Sequence, residues 1–136
     1  MDWVQIEEYM LIVEKNNTMQ HYSNIKLELT EDCALFIEYC LDDAPFVQFL
    51  EQFGVELTKP ISLQALEVEQ ETAILFTGKF YFEGYLEFGE YNLWDIEIGD
   101  AVLSFTNEEV APFSTGNTSY VEISFEIVKK SCEIVK

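Results

Sequence analysis

Arginine is absent from this chain, and histidine occurs once, at His21. Arg forks onto phosphate and carboxylate through paired N–H donors, so a pocket for a nucleotide, a phosphosugar or an acidic peptide would have to rely on Lys or backbone N–H groups. Small anionic ligands are therefore poor candidates. Nucleophilic chemistry is equally short of parts: there is no G-x-S-x-G elbow, no Cys/His signature and no phosphate-cradling glycine loop, and Gly78-Lys79 stands outside any P-loop pattern. Cysteine is scarce too. Cys33, Cys40 and Cys132 form an odd set without paired short spacings, which encodes neither a four-ligand zinc site nor a disulfide framework. Read as strand residues, Cys33 and Cys40 face opposite sides, and structural cysteines in a reducing compartment are the expectation. No calcium loop of the D-x-[DN]-x-[DN]-G type is present. These absences predict a protein with no metal, no cofactor and no enzymatic role; carboxylate pairs are too abundant for any one to mark an acid/base couple.

Long apolar runs are missing as well. The stretch Tyr9 to Val13 is far too short to cross a bilayer. Asp2, Glu7 and Glu8 occupy the place where a secretory leader needs a basic and then an apolar region, so a cytoplasmic location is expected.

What the chain has in excess is acid: 26 Asp and Glu against 7 Lys give a net charge of −19 on 136 residues. The acid is not a tail, since residues 1–60 hold 12 acidic side chains and residues 61–136 hold 14. With 49% of residues hydrophobic and 15% aromatic there is ample material for a packed core. No linker composition interrupts it, so residues 1–136 read as one acidic α+β domain. A field of this sign repels nucleic acid and anionic membranes and attracts basic macromolecules.

Along the chain, Trp3, Ile6, Met10 and Val13 fall at helical spacing between Asp2 and Lys15, predicting an N-terminal helix, although the dense run from Tyr9 also fits a strand. Ile25, Leu27 and Leu29 alternate with charged residues, and Cys33 to Leu41 is nearly all apolar; these predict one half-exposed and one buried strand. Asp42-Asp43-Ala44-Pro45, with an acid as N-cap, and Gly54 bracket a helix near 44–53 with Phe46, Phe49, Leu50 and Phe53 on one face, placed to plug the end of a sheet. From Ile61 the period becomes two. Leu66 and Val68, Ala73 to Phe76, Phe80 to Phe88, Leu93 to Ile98, Ala101 to Phe105 and Val121 to Ile127 read as antiparallel strands separated by turns, including Thr77-Gly78-Lys79 and Gly99-Asp100. Residues 107–119 read as a long loop. The expected architecture is α+β: a twisted antiparallel sheet or half-barrel of about six to eight strands with one or two short helices.

The segment Phe80 to Tyr91 is the most suggestive. As one continuous strand it turns Phe80, Phe82, Leu86 and Phe88 to the core and sets Tyr81, Glu83, Tyr85 and Glu87 in an outward row about 7 Å apart. A hairpin at Glu83-Gly84 would mix core and solvent on one face and is not favoured. Glu67 and Glu69, Asp95 and Glu97, and Glu122 and Glu126 form similar rows. Tyrosines among carboxylates suit a protein partner, because Tyr supplies rigid area and acid steers a basic surface into place; ordinary solvated sheet surface is the plainer alternative. The partner-binding residues expected are Tyr81, Glu83, Tyr85 and Glu87, with Asp95, Glu97 and Asp100 as a second group. The function expected is a non-catalytic inhibitor of a basic protein, of the kind represented by bacterial immunity proteins that neutralise nuclease toxins. The alternatives are a DNA mimic that occupies a DNA-binding protein, and a ligand-binding or structural subunit, possible as a homo-oligomer, using an apolar half-barrel interior lined by Phe76, Phe80, Phe82 and Phe88.

Even dispersal of like charge over a folded surface costs stability when screening is weak, since the screening length shrinks from ~30 Å at 0.01 M salt to ~8 Å at 0.15 M. A thermal melt is expected to rise between these salt levels; a flat response would contradict an evenly acidic folded surface.

Overall fold

The computed structural model describes residues 1–25, 30–68, 73–106 and 119–130. The elements run β1 (Asp2–Ile6), β2 (Tyr9–Val13), α1 (Lys15–Asn24), α2 (Glu31–Cys40), α3 (Ala44–Glu51), β3 (Ser62–Val68), β4 (Ala73–Phe88), β5 (Ile96–Ile98), β6 (Ala101–Thr106) and β7 (Tyr120–Lys130). The fold is α+β: among the described residues, an open antiparallel sheet of seven strands with three helices. Along the sheet the order is β1-β2-β4-β7-β6-β5, with β3 also paired to β4.

The N-terminal segment is a hairpin and not a helix. Val4 and Ile6 are buried with period two while Trp3, on the expected helical face, is 63% exposed. Leu11, Ile12 and Val13 are all buried, a consecutive apolar run that a strand covered on both faces accommodates and one helical stripe does not. Glu7 takes a positive φ of 51° in the two-residue turn that pairs Ile6 with Tyr9.

The reverse correction applies to Cys33–Leu41, which is helical over α2. Thr30 caps it by accepting the Cys33 N–H at 3.1 Å, and Glu31 and Asp32 sit in the first turn, where carboxylates favour the helix dipole. Phe36 and Cys40, one turn apart, are the fully buried pair. Cys33 and Cys40 thus lie seven residues apart on one helix, about 10 Å along its axis. Both thiols are free, and burial, reinforced by the Asp43 and Asp100 charges against the opposing pull of Lys129, pushes that of Cys40 up to about 12. The strand expected over Ile25–Leu29 lies mostly outside the described residues.

Helix α3 forms as its sequence specifies. Asp43 accepts the Phe46 N–H at 3.4 Å, Pro45 sits in the first turn, and Gly54 ends the segment at φ 80°. It lies against the sheet face rather than plugging its end: Phe46 meets Phe125, Phe49 meets Phe105, and Phe53 meets Phe82 at 4.6 Å between ring centroids. Asp43 does more than cap. Its Oδ2 also accepts the Asp100 N–H at 3.2 Å and faces the Lys129 ammonium at 3.3 Å, tying α3 to the β5–β6 turn and to β7.

Strand β4 is a single 16-residue strand, so Thr77-Gly78-Lys79 is not a turn. A Cβ on Gly78 would sit 2.7 Å from the Phe125 ring and 2.5 Å from the Ser62 carbonyl oxygen. Gly78 is a seat for that ring, which stacks between Phe36 and Phe80 at 5.4 Å from each. Leu93–Ile98 contributes only the three residues of β5. Residues 107–118 of the expected loop lie outside the described residues.

Along one edge of β4, β3 pairs with Ala73–Lys79 and β2 pairs with Gly84–Phe88. Helix α1 fills the interval between them with hydroxyl groups. The Tyr22 hydroxyl accepts the Tyr81 N–H at 2.9 Å and donates to the Tyr81 carbonyl at 3.0 Å, and Thr18 Oγ1 accepts the Glu83 N–H at 2.9 Å. Both residues are fully buried. A buried backbone N–H left unpaired costs about 1–3 kcal/mol. Tyr22→Phe is accordingly expected to lower unfolding free energy by about 1–3 kcal/mol in urea titration, and preserved stability would show that the edge is satisfied some other way.

Candidate functional site

The curl of the sheet creates the site. Strands β2 and β6 are three inter-strand steps apart, about 14 Å on a flat sheet, yet the Tyr9 and Phe105 rings lie 5.6 Å apart across the concave face. That contact carries the β1–β2 turn onto the connection that follows β4. The Tyr9 hydroxyl donates to Asp95 Oδ1 at 2.7 Å. Gly89, at φ 123°, admits the Tyr9 ring, since a Cβ there would lie 2.6 Å from it. Burial, the Asp95 hydrogen bond and charge, and the Glu90 and Glu7 carboxylates push the Tyr9 phenol up to about 12, so it stays a donor at neutral pH.

A groove of about 440 Å³ opens beside this contact, lined by Glu8, Tyr9, Glu87, Phe88, Gly89, Glu90, Leu93 and Asp95. Its apolar members are exposed: Phe88 by 69% and Leu93 by 42%. Carboxylates form its rim, and among the described residues no lysine lines it. Exposed aromatic and aliphatic surface thus lies among carboxylates of a single charge sign.

The expected partner-binding residues are distributed unevenly about this groove. Glu87, at the end of β4, and Asp95, in the connection that follows it, line it together. Tyr85 is 47% exposed beside a neighbouring shallow cleft shared with Ile12 and Glu14. Tyr81 and Glu83 share its face of β4, but both are committed internally. Glu97 is exposed on β5, at the far edge of the sheet. Asp100 is ion-paired with Lys129 at 2.6 Å. Phe88, expected in the core, lies outside it: it is the last residue of β4, and the register with β2 slips between the pairs Leu86↔Leu11 and Phe88↔Met10, so Phe88 does not continue the inward row of Leu86. Glu90 and Leu93 were not singled out by sequence; Gly89, a turn residue directly after Phe88, is the signal that the last ring of the strand escapes the core.

The outward rows of β4 and β7 are adjacent, as Tyr81↔Glu122 and Glu83↔Tyr120, but their middle is not an acidic surface. Glu122 is 2% exposed. It accepts hydrogen bonds from Tyr81 at 3.0 Å, from Thr106 at 2.5 Å and from Ser124, with the Lys79 ammonium 3.5 Å away. Burial alone would raise this carboxyl; the Ser124, Thr106 and Tyr81 hydroxyls and the Lys79 charge outweigh it and hold it below the ordinary carboxylate range. Next to it, Glu83 accepts the Asn17 amide N–H at 2.9 Å, and His21 Nε2 lies 3.3 Å from both Glu83 Oε1 and the Tyr120 hydroxyl. His21, on α1, thus joins Asn17 in fastening that helix to β4 and β7.

Comparisons with protein-family models, with curated proteins and with solved structures find no match to this chain.

A carboxyl held below its ordinary value contributes stability that is complete above the unfolded value near 4.5 and is lost as pH falls through the folded value. Glu122→Gln is expected to cost about 1–3 kcal/mol at pH 7. The difference from the parent should shrink as pH drops below the ordinary carboxylate range. Urea titrations at pH 7 and at pH 3 check this, and a difference independent of pH would sink the charge-based account.

Proposed function

We propose that this chain is a non-catalytic acidic protein that binds and neutralises a basic protein, in the manner of an immunity protein against a nuclease-type toxin. The observation that carries this reading is where the few cations sit. Of the five described lysines, Lys59 pairs with Glu56, Lys79 with buried Glu122, and Lys129 with Asp43 and Asp100. Three of the five are thus engaged in holding the fold, which leaves little positive charge to offset the carboxylates of the surface. Such a surface raises the association rate of a basic partner and disfavours acidic ones. A nuclease, whose cleft must attract phosphate, is the partner class with the complementary field.

Affinity capture from the host lysate at moderate salt, with Glu87→Lys/Glu90→Lys as control and mass spectrometry as readout, checks the reading. The expected result is a basic nuclease retained by the parent chain, inhibited at equimolar ratio, and associating about tenfold more slowly with the charge-reversed variant. A spread of DNA-binding proteins displaced by added DNA would favour DNA mimicry instead, and failure to retain any basic protein would overturn the proposal.

A further inference from the structure

We infer that the groove beside Tyr9 is an arginine-binding site: a partner's guanidinium lies against the Phe88 ring and is held by the carboxylates of Glu87, Glu90 and Asp95. This rests on the basic-partner reading above and adds which side chain is taken and where. Its lining includes the apolar surface of Phe88 and Leu93, and its volume of about 440 Å³ is within the range of specific pockets. Arginine fits both halves of that description. Its planar cation stacks on an aromatic face and forks onto carboxylates, whereas an ammonium is a hydrated point charge with no flat surface.

Three further observations favour this occupant. The chain contains no arginine, so this chemistry is not met from within. Asp95 is held in place by the 2.7 Å bond from Tyr9, and Gly89 packs on the Tyr9 ring, so part of the rim is pre-organised before a partner arrives. The larger acid-rimmed cleft, between α2 and β3, offers no aromatic face: its lining of Glu31, Asp32, Glu38, Glu67 and small or aliphatic residues includes no ring.

The test titrates the intact protein with acetyl-Arg-Gly-Arg-amide and with its lysine counterpart at 0.1 M salt, reading backbone amide shifts. Saturable shifts concentrated at residues 8–10 and 87–95 are expected, with the lysine peptide at least threefold weaker. Phe88→Ser, at an exposed position that leaves the fold intact, and Glu87→Gln/Glu90→Gln should each weaken binding fivefold or more, while Glu38→Gln in the other cleft changes nothing. Shifts spread over the acidic surface, equal response to the two peptides, or variants that bind like the parent would overturn the assignment. The two levels separate cleanly. A captured basic partner whose affinity is untouched by Phe88→Ser removes the groove and leaves the function standing, whereas specific peptide binding with no basic protein captured removes the function and leaves the groove.

Discussion

Completion of the hydrogen-bond ladder along one edge of β4 is the constraint on which the rest of the structure depends. A 16-residue strand exposes more backbone donors and acceptors than either short neighbour can meet, and β3 and β2 cover only its two ends. The interval at Tyr81 and Glu83 is met by Tyr22 and Thr18, which fixes where α1 must lie. Helix α1 follows β2 directly, with the Glu14 N–H bonded to the Glu83 carbonyl at 2.8 Å, so the same requirement sets the position of the N-terminal hairpin. The hairpin in turn carries Tyr9 to Phe105 and Asp95 and opens the groove. A backbone requirement in the middle of the chain thus decides the shape of a surface assembled from its two distant flanks.

Charge placement follows a second economy. Three lysines are drawn into pairs that hold elements together: Lys129 joins β7 to α3 and the β5–β6 turn through Asp43 and Asp100, Lys79 lies against the buried carboxylate of Glu122, and Lys59 serves both Glu56 and the Tyr22 carbonyl at 2.6 Å. For Lys129, burial disfavours the cation, but its bonds to Asp100 and Asp43 and their charges outweigh this and raise its pKa. Glu122 and Asp43 are the acids removed from the surface field in this way. Those left outside, Glu87 and Glu90 among them, repel one another without compensation from a nearby described lysine. A folded domain that tolerates this self-repulsion carries a surface suited to a cationic counterpart, and Phe88 and Leu93 give that surface apolar area as well as charge.

Much of the sheet was legible as period-two alternation because one face carries apolar side chains and the other polar or charged ones: Val121, Ile123, Phe125 and Ile127 do face the core. Helix α3 was legible for a local reason, since Asp43, Pro45 and Gly54 act on their own neighbours. The errors share a different cause. Short apolar runs such as Cys33–Leu41 and Tyr9–Val13 look alike in either conformation, and what separates them is long-range pairing: Leu11 with Leu86 makes a strand, and Phe36 stacked on Phe125 makes a helix face. Gly78 carried the signature of a turn because the ring that needs its missing side chain is 47 residues away. The same holds for Glu122, read as an outward residue by parity, correctly, yet buried by partners on two other strands.

The sequence by itself determined the sign and even spread of the charge, the lack of arginine, the material for one aromatic core and the local capping of α3, because each depends on composition or on residues within a turn of one another. Only the tertiary structure decided which acids are consumed and which are presented. That choice depends on pairings such as Lys129 with Asp43, 86 residues apart, and a contact at that distance exists only once the sheet has closed on the helices.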